Sequence, residues 1–269
     1  MTTFSVLMPV YYKDDPFLFD RAILSVLSNS LTPNKIVIVV DGSLTTALEK
    51  ILEKYQSNDQ FLIIRNPTNL GLSKALNIGL KYIDHEYTIR ADSDDYNHPE
   101  RFNLLINKLQ EGYDLVGSTI KEVDKFGNFI AYKQPPFDPN SIRQYAIRRS
   151  PFNHPSVAFN TKTVKSLGGY PHIFQKEDYA LWATFIANKY PICNIDNILV
   201  DATTGSDMFK RRSGLKYALA EIELQKYLIK LGLKNKFNGL IDGMLRSIVF
   251  LAPNFIRKFI YLNFLRQKK

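Results

Sequence analysis

Short β-branched runs alternate with amphipathic segments over the first hundred residues, and that rhythm constrains the fold more than any other feature of the chain. Residues 4–10 and 35–40 are apolar, end in polar or turn residues, and read as strands buried on both faces. Residues 61–64 and 87–91 predict two more strands. Between the first two, residues 15–29 predict a helix, with Pro16 at a permitted early position and Phe17, Ala22, Ile23, Val26 and Leu27 facing inward. Residues 45–55 and 73–83 predict the next helices. The alternation implies an α/β fold with a Rossmann-like, doubly wound, mostly parallel central sheet flanked by helices.

Ligands of open α/β sheets bind at the carboxyl ends of strands, so the residues found there carry the chemistry. After the strand at 87–91 come Asp92, Ser93, Asp94 and Asp95, three carboxylates in four positions. Such acids repel one another unless a cation lies between them, and a hard divalent ion takes carboxylate and phosphate oxygens. A solvated turn is the bland alternative. Asp41-Gly42-Ser43 ends the second strand, where an aspartate can accept from a base edge or ribose and a glycine permits positive φ. Pro9, Val10 and Tyr11 close the first strand, and Tyr11 can stack on a flat base or simply pack.

Past Pro99 the pattern loosens. Residues 99–109 predict a helix and 115–118 a strand, followed by a hairpin around residues 125–128 and an irregular stretch at Pro135, Pro136 and Pro139. Helices are expected at 140–148, 161–167 and 178–188, a loop at 151–155, and strands within 192–203. From Arg212 the chain reads as helix, broken at Gly232 and Pro253.

With 45% apolar and 23% charged residues in 269, intrinsic disorder is excluded. The start lacks the pattern of a secretory signal, and the lone Cys193 excludes an internal disulfide; both fit a reducing cytosol. The net charge of +9 is unevenly placed: residues 1–205 carry 21 basic and 22 acidic side chains, residues 206–269 carry 14 and 4. A tail of +10 points to a polyanion or an anionic membrane.

Four blocks in order carry a family resemblance: residues 5–11 (SVLMPVY), 39–43 (VVDGS), 69–79 (NLGLSKALNIG) and 90–95 (RADSDD) with Pro99-Glu100-Arg101. Residues 153–156 (NHPS), 168–170 (GGY) and 177–182 (EDYALW) extend it. The chain resembles glycosyltransferase family 2, most closely bacterial enzymes of surface-polysaccharide assembly. The resemblance implies a GT-A fold, a UDP-sugar donor, a divalent cofactor (Mn or Mg) and inversion at the anomeric carbon. It places Pro9, Tyr11, Asp41, Arg90, Asp92, Ser93 and Asp94 at the nucleotide sugar, with Asp41 on the uracil. Asp92, Asp94 and Asp95 fall at the metal, with Asp94 favoured as the direct ligand and Asp95 the alternative. Asp178 becomes the base that deprotonates an acceptor hydroxyl, and His154, Gly169, Tyr170, Glu177 and Trp182 border the acceptor. Arg211 and Arg212 are suited to diphosphate or lipid phosphate, which arginine grips with two parallel hydrogen bonds. Lys74 is a weaker phosphate candidate.

The expected organisation is a catalytic domain at 1–205, divided into a nucleotide-sugar half at 1–110 and an acceptor half at 111–205, and a basic helical region at 206–269. That last region is too short in its apolar run, 248–252, to cross a bilayer, which takes about 20 residues, so its amphipathic character points to the headgroup layer. The expected partners are a UDP-hexose (galactose or glucose), a polyprenyl-diphosphate-linked saccharide and the inner face of the cytoplasmic membrane, without nucleic acid. The rival readings are a nucleotidyltransferase, for which the glycine-rich loop after the first strand is missing, and a nucleic-acid binder, which the aliphatic and aromatic tail disfavours.

Overall fold

The computed structural model describes residues 2–204 and 213–252. Strands β1 (Phe4–Val10), β2 (Lys35–Asp41), β3 (Phe61–Asn66) and β4 (Tyr87–Arg90) form a parallel run in the order β3-β2-β1-β4. Helices α1 (Pro16–Leu27), α2 (Thr46–Tyr55) and α3 (Leu72–Lys81) are the crossovers. Asp15 caps α1 by accepting the N–H groups of Phe17 and Leu18, and Thr45 caps α2 by accepting that of Leu48, which is why these helices begin where they do.

Beyond α4 (Arg101–Gln110) the sheet becomes mixed. β6 (Leu115–Val123) forms the expected hairpin with β7 (Phe129–Lys133) and runs parallel to β9 (Ile192–Thr203). β8 (Ala158–Asn160) pairs antiparallel with both β4 and β6, and β5 (Tyr96–Asn97) pairs antiparallel with β9. The sheet order is thus β3-β2-β1-β4-β8-β6-β9-β5. α5 (Pro139–Tyr145), a 3-10 turn at His154–Ser156, α6 (Thr161–Ser166) and α7 (Glu177–Ala187) complete this part, followed by α8 (Leu215–Lys230) and α9 (Lys236–Leu251).

The period of two along each strand sorts the core into two layers. Val6, Met8, Val10, Ile36, Ile38 and Val40 pack with α1, α2 and α4, whereas Leu7, Val37 and Val39 face α3, α5 and α7. Each fully buried aliphatic or aromatic side chain contributes about 1.5–3 kcal/mol. α7 is apolar nearly all round and buried on both sides, by the sheet through Leu181, Trp182 and Phe185 and by α8 through Tyr179, Ala180 and Ala183 against Ala220 and Leu224.

Candidate active site

The carboxyl edge of the parallel run gathers the expected groups. Leaving β4, the chain turns through Asp92, Ser93, Asp94 and Asp95, and carboxylate oxygens of Asp92, Asp94 and Asp95 lie within 4.8 Å of one another. The turn is pinned from two sides. The Thr203 N–H donates to Asp95 Oδ1 at 2.7 Å, and the Thr203 hydroxyl and Arg21 Nη2 donate to the Asp94 carbonyl at 2.6 and 3.1 Å. Burial together with the charges of Asp92 and Asp14 pushes the Asp94 carboxyl up to about 7, and burial with Asp94 and Asp92 pushes Asp95 well above the carboxylate range.

Beneath the cluster two arginines are buried, which is uncommon for a charged side chain without pairing. Arg90, 1% exposed, forms an ion pair with Asp92, and its Nε lacks a hydrogen-bond partner among the described residues. Arg101, fully buried, donates to the Arg90 carbonyl at 2.6 Å and to Asn97 Oδ1, and burial lowers it to about 9. Arg90, expected at the nucleotide sugar, is thus buried beneath the cluster, where it pairs with Asp92.

Asp41, at the end of β2, organises the neighbouring loop. Its Oδ1 accepts Asn66 Nδ2 at 3.0 Å and the Leu70 N–H at 2.9 Å, and its Oδ2 accepts the Gly71 N–H at 2.9 Å. Gly42 beside it has φ +89, and a Cβ there would meet the Asn69 backbone nitrogen at 2.8 Å, so the β2 and β3 exits pack too closely for a side chain. Pro9 is buried at the end of β1 and Tyr11 is half-buried. Asp14, absent from the expected site, accepts the Tyr11 N–H at 3.0 Å and the Ser93 hydroxyl at 2.7 Å, tying the β1 exit to the acidic turn.

The second acidic group opens α7. Glu177 is buried and Asp178 half-buried in its first turn. Burial and the Asp178 charge raise Glu177 to about 7, opposed by the Arg90 charge and by backbone N–H groups of the helix start. His154 is half-buried, its Nε2 3.2 Å from the Tyr170 hydroxyl, and burial with the Arg90 charge holds the imidazole well below its usual range, hence neutral near pH 7. Tyr170 is held by Asn77, which accepts its N–H at 2.7 Å and donates to its carbonyl at 2.8 Å. Gly169 before it has φ +77, and a Cβ there would lie 2.3 Å from Asn77 Oδ1.

Tyr170, 1% exposed, and Trp182, 0%, were expected to border the acceptor and are buried. Both rings lie under His154, at 5.5 and 6.0 Å between centroids, and support it from the core. Lys74 is exposed on α3. Arg211 and Arg212 lie outside the described residues.

Glycosyl transferase family 2 matches residues 5–165, a span holding Asp41 and the acidic turn. A UDP-Gal:alpha-D-GlcNAc-diphosphoundecaprenol beta-1,3-galactosyltransferase of Escherichia coli is 35% identical, over 98% of this chain and 97% of that protein. The chain belongs to glycosyltransferase family 2. An amylovoran biosynthesis glycosyltransferase, AmsE, of Erwinia amylovora is 33% identical over 96% of this chain and 97% of that one. The S. aureus TarS 1-349 structure in complex with UDP-GlcNAc superposes with a TM-score of 0.70 at 20% identity, covering 98% of this chain and 76% of that one, and shares the GT-A fold.

In this glycosyltransferase the structure brings together Asp92, Asp94, Asp95, Arg90, Glu177, Asp178, His154 and Tyr170 within reach of one another's fields: the Arg90 charge acts on Asp94, Asp95, Glu177, His154 and Tyr170. Sequence reasoning did not reach Asp14, Arg21, Asn77, Arg101 and Thr203, which hold the site in place. Of these, Asn77, in the 69–79 block, and Arg101, in the Pro99-Glu100-Arg101 block, carried a signal.

Proposed function

We propose that this enzyme transfers a hexose, galactose before glucose, from its UDP conjugate to a saccharide linked through diphosphate to a polyprenyl lipid, with inversion and with a divalent cation bound at the acidic turn. The observation that carries this reading is the crowding of Asp92, Asp94 and Asp95 at the sheet edge, with Asp94 raised to about 7. Hard carboxylate oxygens within 4.8 Å suit Mg²⁺ or Mn²⁺, and the mutual repulsion that raises Asp94 is what a cation relieves. When bound through Asp94 and its neighbours, such an ion supplies charge stabilisation to the departing diphosphate.

The residues of the chain do the rest. Asp41 fixes the loop over the base and keeps lone-pair capacity on Oδ2 for the uracil imide N–H, since a carboxylate has about four acceptor sites. Tyr11 offers its ring to the base. Asp178 accepts the proton of the acceptor hydroxyl as that oxygen attacks the anomeric carbon from the face opposite the leaving group. Glu177, held neutral up to about pH 7, donates to the acceptor sugar and orients it. His154, backed by Tyr170 and Trp182, borders the same side.

Helices α8 and α9 expose Leu215 and Leu219, and Phe237, Leu240, Met244 and Ile248, at helical spacing. Among the described residues no helix is long and apolar enough to cross a membrane. That apolar face, in a region (206–269) of net charge +10, supports residence on an anionic lipid surface, where a lipid-linked acceptor is found.

Purified enzyme should be incubated with UDP-galactose or UDP-glucose and a GlcNAc-diphosphate-lipid, with Mn²⁺ or with EDTA. Transfer only with cation is expected. Equal transfer in EDTA sinks the cation site, and no transfer from either donor sinks the substrate assignment.

A further inference from the structure

Lys176 immediately precedes the Glu177–Asp178 pair, and its side chain points away from the site into the C-terminal helices. Its Nζ lies 2.9 Å from Glu221 Oε2 on α8 and 4.4 and 5.1 Å from the ring centroids of Tyr217 on α8 and Phe250 on α9. Glu221 is itself buried, takes a hydrogen bond from Gln225 at 2.8 Å and pairs with Arg246 of α9 at 3.3 Å. Arg246 also donates to the Arg148 carbonyl, beyond α5. One ammonium is thus clamped by both helices of the C-terminal pair.

Local helix chemistry does not account for a lysine at this position. Lys176 is the N-cap of α7, a place that favours Ser, Thr, Asp or Asn, and its side chain makes no cap hydrogen bond. A cation there also opposes the helix dipole. The residue before it, Gln175, sits at φ +53, left-handed backbone that a side-chain-bearing residue keeps only when its surroundings hold it. The Lys176 carbonyl accepts the Ala180 N–H at 2.9 Å, the first bond of the helix, so the residue that starts α7 is fixed by another element.

We propose that Lys176 is a positioning residue, through which α8 and α9 set the orientation of Glu177 and Asp178 toward the acceptor. The inference rests on the reading of Asp178 as the base. A buried ion pair is a weak source of stability, and the use assigned to this one is to fix where α7 begins. The C-terminal helices then belong to the catalytic apparatus and are more than an anchor.

The test compares Lys176→Met, Lys176→Arg and Asp178→Asn using UDP-galactose and a GlcNAc-diphosphate-lipid, with thermal melts as the control for folding. Lys176→Met should lower kcat about tenfold, the scale of a small misplacement of a reacting group, with the KM for UDP-galactose changed less than twofold. Lys176→Arg, which keeps the charge, should recover most of that loss. Should Lys176→Met not fold, Glu221→Gln, isosteric and neutral, takes its place, with the same expected split. A folded variant with parental kcat while Asp178→Asn is inactive overturns the positioning role alone, as does a loss confined to KM. Parental turnover by Asp178→Asn overturns the base, and the inference with it.

Discussion

The acidic turn after β4 and the acid pair at the start of α7 share the field of Arg90, and each contains a carboxyl pushed up to about 7, Asp94 in one and Glu177 in the other. Their surroundings differ. Asp94 is raised by burial and by two further carboxylates, Asp92 and Asp14, at the end of a strand. Glu177 has one acidic neighbour, Asp178, and the first-turn N–H groups of α7 ease its ionisation. Under the proposed function the same perturbation has two uses: at the acidic turn it favours a bound cation, and at α7 it keeps a proton on Glu177 beside the proposed base.

The division of labour is broken most severely at Asp178. Asp178→Asn should reduce transfer about 10³-fold, within the range of a lost general base, and a melt matching the parent would show the loss to be chemical. Chelation with EDTA should cost about 10²-fold and be reversed by Mn²⁺, since charge on the departing diphosphate loses its counterion; turnover assays with metal added back measure this. Undiminished rates after exhaustive chelation would place all leaving-group stabilisation on the protein.

Glu177→Gln sharpens the contrast through stability. The unfolded chain ionises this carboxyl near 4.5, while the folded state holds it neutral up to about 7. The ionisation penalty of its burial is therefore absent below 4.5, grows as pH rises between 4.5 and 7, and reaches a plateau above 7. The variant should be more stable than the parent above pH 7 by roughly 2 kcal/mol, against a ceiling of about 3 from the shift, and equal to it below the window. A pH series of denaturant melts would refute this by showing a constant offset. Asn77→Ala, which frees the Tyr170 backbone, should have the smallest effect, about 1 kcal/mol of stability, with a modest rise in acceptor KM.

The two regions also differ in how much of them was legible. The β1–β4 run and its helices were readable because β-branched runs and caps such as Asp15 and Thr45 are local signals. β5 and β8, of two and three residues, carry no periodicity; their partners on β9, β4 and β6 make them strands. The region expected to hold several strands, Ile192–Thr203, is one strand whose register shifts against β6. At the site the carboxylates were legible by position. The buried arginines were not, because a charge is expected outside until its partners are known, and Asp92 and Asp95 reach Arg101 only through the fold. Asp14 holds Ser93 across 79 residues of sequence, a link no local pattern encodes. Trp182 and Tyr170 belong to quoted blocks, yet their rings fill the core under His154.

The most direct measurement is calorimetric titration of UDP-galactose into the parent, Asp94→Asn and Asp178→Asn, each with and without Mn²⁺. The account predicts Mn²⁺-enhanced binding in the parent and an unchanged enhancement in the catalytically silent Asp178→Asn, with the enhancement lost in Asp94→Asn. Retained enhancement in Asp94→Asn, or its loss in Asp178→Asn, would contradict the assignment of the two acidic groups to separate tasks.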